Sequence, residues 1–161
     1  MEIVRTIARW LDAIPYSLIA LFLRIIAAHP FFLSGQTKIE GPTVGGEIFG
    51  LDLSFQIPTS IRDATFALFA DEYKLPLISP TLAAYAATAV EFILPLLLVI
   101  GLLTRLSAFG LLMMTMVIQI FVYPDAWWTV HAYWTAILIV LIARGPGAIS
   151  LDHLLFRRRS A

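Results

Sequence analysis

Residues 80–103 read PTLAAYAATAVEFILPLLLVIGLL, an apolar segment that carries one acidic residue, Glu91, near its middle. A transmembrane helix needs ~20 mostly apolar residues, and this segment is long enough. Three further segments meet the same requirement: residues 14–34, 105–123 and 126–143. Of the 161 residues, 60% are hydrophobic, and the mean hydropathy is +0.87. These features predict an all-α membrane protein, an antiparallel bundle of four transmembrane helices forming a single domain over residues 1–161.

Between the first two spans lies a long polar insert, residues 36–79. The stretch EIFGLDLSF, residues 47–55, alternates apolar and polar side chains, which predicts a short hairpin. After Pro58, either Thr59 or Ser60 is a suitable N-cap for an amphipathic helix that ends before Pro76. We therefore expect an outer insert of hairpin plus helix, which either covers a site or seals the bundle against lipid.

The arginines predict the orientation of the chain. With four spans, the N-terminus, the loop near residue 104 and the tail at residues 144–161 share one side. Seven arginines lie on that side: Arg5, Arg9, Arg105, Arg144, Arg157, Arg158 and Arg159. Because positively charged loops stay in the cytoplasm, both termini are predicted to be cytoplasmic. The first span is not a cleaved signal peptide in this interpretation, since it is too long and contains Arg24.

Two opposite charges, Arg24 and Glu91, fall inside the first and second spans. Counting from Pro15 at the inner surface places Arg24 ~13 Å deep, and counting from Pro80 at the outer surface places Glu91 ~16 Å deep. In a hydrocarbon core of ~30 Å these levels nearly coincide, which predicts an ion pair. Such a pair either locks two helices together or holds Glu91 ready to relay a proton.

Three other polar residues, His29, Gln119 and His131, fall within the predicted spans. The same counting puts all three ~20–22 Å from the inner surface, so spans one, three and four each supply a polar group at one level. They are candidate ligand-binding residues, or polar groups that bond between helices. Copper handling, with the methionines of span three, and bis-histidine haem binding remain open alternatives.

Composition excludes several classes of chemistry. The chain has no cysteine, so it forms neither disulfides nor thiolate metal sites. The net charge is zero, and no nucleic-acid partner is expected. The sequence contains no self-contained catalytic motif and no phosphate-binding loop, and no metal site is assigned.

Three stretches together resemble the DoxX family of small four-helix bacterial membrane proteins. They are LRIIAAHPFFLSGQTKI, VEFILPLLLVIGLLTRL and RGPGAISLDHLL. The pattern comprises Arg24, His29, Gly35, Lys38, Glu91, Gly101 and Arg105, then GPG and SLD. The resemblance adds Lys38 to the candidate site and implies a bacterial cytoplasmic (inner) membrane location. It also implies a link to quinone-coupled oxidation or to redox-stress complexes.

The leading hypothesis is therefore a membrane subunit of a quinone-linked redox system. In it, His29 or His131 bonds a quinone oxygen and Glu91, tuned by Arg24, relays the proton. A non-enzymatic scaffold that holds a partner on the outer face is the first alternative, and copper homeostasis is the second. Besides the lipid bilayer, a redox partner, a periplasmic partner protein and a homo-oligomer all stay open.

Overall fold

The computed structural model describes residues 1–48, 50–52 and 54–157, and for residues 6–9, 48, 51, 52 and 157 it describes the backbone alone. Arg158 and Arg159 of the basic tail, and Phe49 and Leu53 of the predicted hairpin, lie outside the described residues.

Helices make up most of the described chain. They are α1 Glu2–Asp12, α2 Tyr16–Lys38, α3 Asp63–Ala67, α4 Pro80–Ile100, α5 Thr104–Phe121, α6 Ala132–Arg144 and α7 Leu151–Arg157. A 3₁₀ turn, Pro124–Ala126, and a π-helical turn, Trp127–His131, lead into α6. Four segments are long and apolar enough to cross a membrane: Tyr16–Lys38, Pro80–Ile100, Thr104–Phe121 and Pro124–Arg144. The prediction of a mostly helical protein with four such helices is confirmed.

Small residues bring the four long helices close together. Helix α2 packs against α4 and α6, and α5 packs against the same two helices. Ala27, Ala28 and Ala108 are buried in the core beside Phe31 and Leu98. Without side-chain bulk at these positions, neighbouring backbones approach closely, which is the usual basis of helix association in lipid.

Helices α2 and α4 run antiparallel and approach closely at Gly35. A methyl group added to Gly35 would lie 3.1 Å from the carbonyl oxygen of Glu91. Even alanine would crowd this contact, so glycine at this position lets α2 pass directly beside Glu91.

The insert begins with one long hairpin built from three short antiparallel ladders. Strand β1 (Ile39–Glu40) pairs with β6 (Ser60–Ile61), β2 (Thr43–Val44) with β5 (Phe55–Gln56), and β3 (Glu47–Ile48) with β4 (Leu51–Asp52). The hairpin is longer than the predicted one, and the following helix starts at Asp63 instead of near Thr59 or Ser60. That prediction was wrong because Ser60 pairs with Glu40 in the ladder.

Helix α3 and the π-helical turn Leu68–Tyr73 that continues it form a unit that we call the cap helix, Asp63–Tyr73. Its Phe69 is buried against Ala83 and Ala84 in the first turns of α4. Phe66 contacts the ring of Tyr85 on the same helix, with ring centroids 5.3 Å apart. The cap helix therefore covers the beginning of α4.

Candidate functional site

The buried carboxylate of Glu91 forms an ion pair with Lys38, the last residue of α2. Lys38 Nζ lies 2.6 Å from Glu91 Oε2, and the side chains are only 7% and 4% exposed. Ser34, one turn before Lys38, bridges the two groups. Its Oγ accepts a hydrogen bond from Lys38 Nζ at 2.8 Å and donates one to Glu91 Oε1 at 3.2 Å. The ammonium also donates to the carbonyl of Ser34, so both charges have several partners.

The periodicity of α2 explains this arrangement. Residues four apart lie on the same helix face, so Ser34 and Lys38 point together towards α4. Gly35 lies on that face as well and lets the α4 backbone approach. A charge at this depth is stable only when it is paired and hydrogen-bonded, and both conditions are met here.

Arg24 does not serve as the ion-pair partner of Glu91, so this predicted pair is wrong. Its guanidinium donates to the carbonyls of Leu98 (3.5 Å) and Val99 (3.1 Å), near the end of α4, and to the carbonyl of Ile149. The last carbonyls of a helix lack partners within it and carry partial negative charge, so they suit a cation. Arg24 therefore joins three segments at the end of the bundle where α4 ends.

The error came from the assumed register of the two helices. Glu91 lies opposite Gly35, about eleven positions or ~16 Å along α2 from Arg24. The depth estimate assumed that α4 enters the membrane at Pro80. In the structure, Ala83 and Ala84 in its first turns pack against the cap helix, so Glu91 lies nearer to the cap-helix end of the bundle than the count implied.

His131 and Gln119 are brought together as a hydrogen-bonded pair. His131 Nδ1 lies 2.6 Å from Gln119 Oε1, and Gln119 Nε2 donates to the carbonyl of Pro124 at 2.5 Å. The second bond fixes the orientation of the amide, so its oxygen accepts and His131 Nδ1 donates. In the neutral ring, Nε2 is then a free acceptor.

His29 lies apart from this group. Its side chain is exposed on the outside of α2, whereas His131 is buried. The predicted common level of His29, Gln119 and His131 therefore brings only two of the three residues together. Equal depth did not give a shared site because helix rotation points His29 outwards.

A cavity of about 400 Å³ lies between α4 and α5 beneath the cap helix. Most of its lining is apolar, with Ala83, Ala87 and Val90 on α4 and Met114 and Ile118 on α5. Polar side chains are few: Ser34, Glu91, His131, Tyr73 and Tyr123. This combination of volume, apolar walls and a few polar groups is typical of a small-molecule site.

Tyr73 and Tyr123 lie at the outer end of the cavity, with ring centroids 6.3 Å apart. Burial raises the pKa of the Tyr73 phenol, and a hydrogen bond with Tyr123 raises it further. Tyr73 therefore stays protonated at neutral pH and can act as a hydrogen-bond donor.

Sequence reasoning missed Ser34 and Tyr73. Ser34 could have been found from its spacing of four residues before Lys38, which places both on one helix face. Tyr73 reaches the cavity only because the cap helix folds back over α4, and no local pattern encodes that contact.

The side chains that line the cavity can form hydrogen bonds with a polar ligand. A carboxylate, an imidazole nitrogen and a phenol line one largely apolar cavity, so polar atoms of a ligand would find both acceptors and a donor. Among the described residues, no group of three or more His, Cys, Asp or Glu side chains comes together as a metal site.

Comparison with known proteins identifies the family. An uncharacterized protein of Haemophilus influenzae is 29% identical over 152 aligned residues, covering 84% of this chain and 82% of that protein. No solved structure matches the chain. The DoxX family profile matches residues 19–124, which is more than half of the sequence and includes Arg24, Lys38 and Glu91. The chain therefore belongs to the DoxX family of membrane proteins.

Proposed function

We propose that this protein is a small membrane component of a redox system and binds a quinone in the cavity between α4 and α5. The observation that carries the proposal is the combination of apolar walls with Glu91 and His131 in one cavity. A quinone has the matching chemistry, with an apolar body and two oxygens that exchange protons.

Interconversion of quinone and quinol moves two electrons and two protons. In this proposal the electrons pass to or from a redox partner protein. Neutral His131 accepts a hydrogen bond from a quinol hydroxyl through Nε2, and the protonated ring donates to a quinone carbonyl. Glu91 provides the second position for proton transfer.

Lys38 takes the role that the sequence predicted for Arg24. Its ammonium, 2.6 Å from Glu91, stabilises the carboxylate in a site that contains little other polarity. Ser34 fixes the geometry through both of its hydrogen bonds. Arg24 contributes indirectly by holding the inner end of the bundle together.

The test uses protein purified in lipid nanodiscs and the binding of a benzoquinone that carries a ten-carbon chain. We expect Glu91→Gln and His131→Ala to weaken binding by about tenfold or more, which is the typical effect of losing a charged or well-placed polar contact. His29→Ala is the matched control, since this histidine is exposed on α2, and it should bind like the wild type. Wild-type affinity in both Glu91→Gln and His131→Ala would refute the proposal.

A scaffold function on the outer face is the second candidate. The hairpin carries exposed apolar side chains, including Phe55 (39% exposed) and Ile57 (44%), that a partner could cover. Replacing residues 43–56 by a short turn should abolish recruitment of an outer partner while membrane insertion stays normal. Unchanged co-purification of partners would remove this candidate. No observation favours the copper alternative, because His29 points away from His131.

We further propose that the protein resides in the bacterial inner membrane with both termini in the cytoplasm. Arg5, Arg105 and Arg144 lie at one end of the bundle, whereas exposed acidic residues such as Glu47 and Asp71 lie at the other. This distribution supports the orientation through the positive-inside rule.

A further inference from the structure

We propose that a ligand enters the cavity laterally from the lipid, between α4 and α5. Its long apolar tail stays in the bilayer while its head group lies inside the cavity. The inference rests on the proposed quinone site and specifies its entry route and its class of ligand, a tailed amphiphile.

The cap helix packs over the outer end of the cavity. Phe69 of the cap helix is buried over it (4% exposed), and Tyr73 and Tyr123 meet at its edge. The start of the cap helix is bonded to the end of α2, since Thr65 Oγ1 and the Arg62 amide both donate to the carbonyl of Lys38. A ligand arriving through the cap helix would have to displace this packed and hydrogen-bonded segment.

The side of the cavity is open. Five of its lining residues are exposed. Ile78 and Tyr123 lie at the outer end, whereas Ala86 on α4 and Met113 and Val117 on α5 lie along the two membrane-spanning helices. Met113 is 48% exposed and Val117 is 37% exposed. Both helices are apolar enough to span the membrane, so this lateral opening (Ala86, Met113 and Val117) faces hydrocarbon.

The distribution of polarity gives the ligand its orientation. Glu91 and His131 belong to the cavity wall but are only 3% exposed, whereas the residues at the lateral opening are apolar. A polar head group therefore lies deepest and an apolar chain lies towards α4 and α5. A cavity of about 400 Å³ encloses a ring and the start of a chain, but not a chain that reaches ~15 Å across a leaflet.

The experiment compares two probes in nanodiscs of the same lipid: a dimethoxy-methyl-benzoquinone without a tail, and the same ring with a ten-carbon chain. Met113→Trp narrows the opening from α5, and Ala86→Phe narrows it from α4. Phe109→Trp and Ala89→Phe are matched controls, because both residues are exposed on the same helices but do not line the cavity. Thermal denaturation of every variant verifies that it is folded.

We expect Met113→Trp and Ala86→Phe to bind the tailed probe about tenfold more weakly than the wild type, as bulk forced into an occupied space does. Binding of the probe without a tail should change much less, and both controls should match the wild type. The apparent affinity of each probe is compared between variants at one lipid concentration. The partition of the probe into lipid is then the same for every variant and does not affect the comparison.

Three outcomes would count against the inference. If Met113→Trp and Ala86→Phe weakened the binding of both probes equally, the substitutions would damage the head-group site. If the control variants weakened binding of the tailed probe to the same extent, the effect would not be specific to the lateral opening. Either result overturns lateral entry but leaves quinone binding intact. If the wild type binds neither probe, the proposed quinone function itself fails, and the inference fails with it.

Discussion

Lys38 and Glu91 depend on each other because each neutralises a charge that has almost no contact with solvent. Burying an ion costs several kcal/mol, and the partner together with Ser34 offsets that cost. Removing only one charge leaves the other unpaired, whereas removing both leaves a neutral and well-packed contact. A structural role and a functional role for this pair can therefore be separated by comparing single and double variants.

We expect Glu91→Gln and Lys38→Met each to lower the free energy of unfolding by about 3–5 kcal/mol, because each leaves a buried charge unpaired. The double variant Lys38→Met with Glu91→Gln should recover most of that loss. The thermal midpoint in detergent measures stability, and quinone binding is measured in parallel. A stable double variant that binds no quinone supports a role for the pair beyond packing. Full stability of Glu91→Gln alone would contradict the burial of a true ion pair.

At this scale the sequence identified most of the polar residues but not their partners. Glu91, His131 and Gln119 were singled out as isolated polar groups in apolar segments, and Lys38 was added through the family resemblance. The partner of Glu91 was wrong because its depth was counted from a proline whose height in the membrane is not encoded locally. His29 was grouped with His131 because depth carries no information about helix rotation.

The helix ends between α4 and α5 are stabilised by the segment that follows α6. Asp152 in α7 accepts hydrogen bonds from the amides of Leu103 (2.8 Å) and Thr104 (2.9 Å) at the start of α5. These amides have no acceptor within their own helix, and a carboxylate there also favours the helix dipole. In the other direction, the amide of Asp152 donates to the carbonyl of Gly101.

We expect Asp152→Ala to lower stability by about 1–2 kcal/mol, the usual effect of removing a side-chain cap. Asp71→Ala is the matched control, because Asp71 is an exposed aspartate on the cap helix, and it should leave stability unchanged. Thermal denaturation of both variants in the same detergent measures the difference. Equal loss in the two variants would show that general charge removal, and not the cap, is responsible.

The predictability of elements followed the strength of their local signals. The four long apolar segments were identified, because hydrophobic length alone defines them. The start of the cap helix was placed too early, since pairing of Ser60 with Glu40 outweighed the N-cap preference. The SLD motif was recognised through the family resemblance, but its capping role requires contact between residues 49 positions apart.

The molecule as a whole is asymmetric in charge along the membrane normal, and its orientation can be tested directly because it contains no cysteine. We expect a single cysteine at Asp125, between α5 and α6, to react with a membrane-impermeant maleimide in intact spheroplasts. A cysteine at Asp12, at the end of α1, should react only after lysis. Both residues are exposed, so burial does not limit the reaction. The reverse labelling pattern would invert the proposed topology.

The cavity shows the limit of sequence reasoning at this scale. It is formed by the cap helix, α4, α5 and the residues before α6, each of which was anticipated separately. Its existence depends on small side chains such as Ala83, Ala87 and Gly110 lining the same space. That coincidence is a property of the assembled bundle and appears in none of the segments alone.

The contacts of Arg24 have a consequence for the order in which the protein is made. Its carbonyl partners at Val99 and Ile149 lie 75 and 125 residues further along the chain. At a synthesis rate of ~5–20 residues per second, α2 enters the membrane ~6–25 s before the last of these partners exists. During that interval the arginine needs water, lipid head groups or the insertion machinery to satisfy its charge. Assembly of the first span is therefore completed only when residue 149 has been translated.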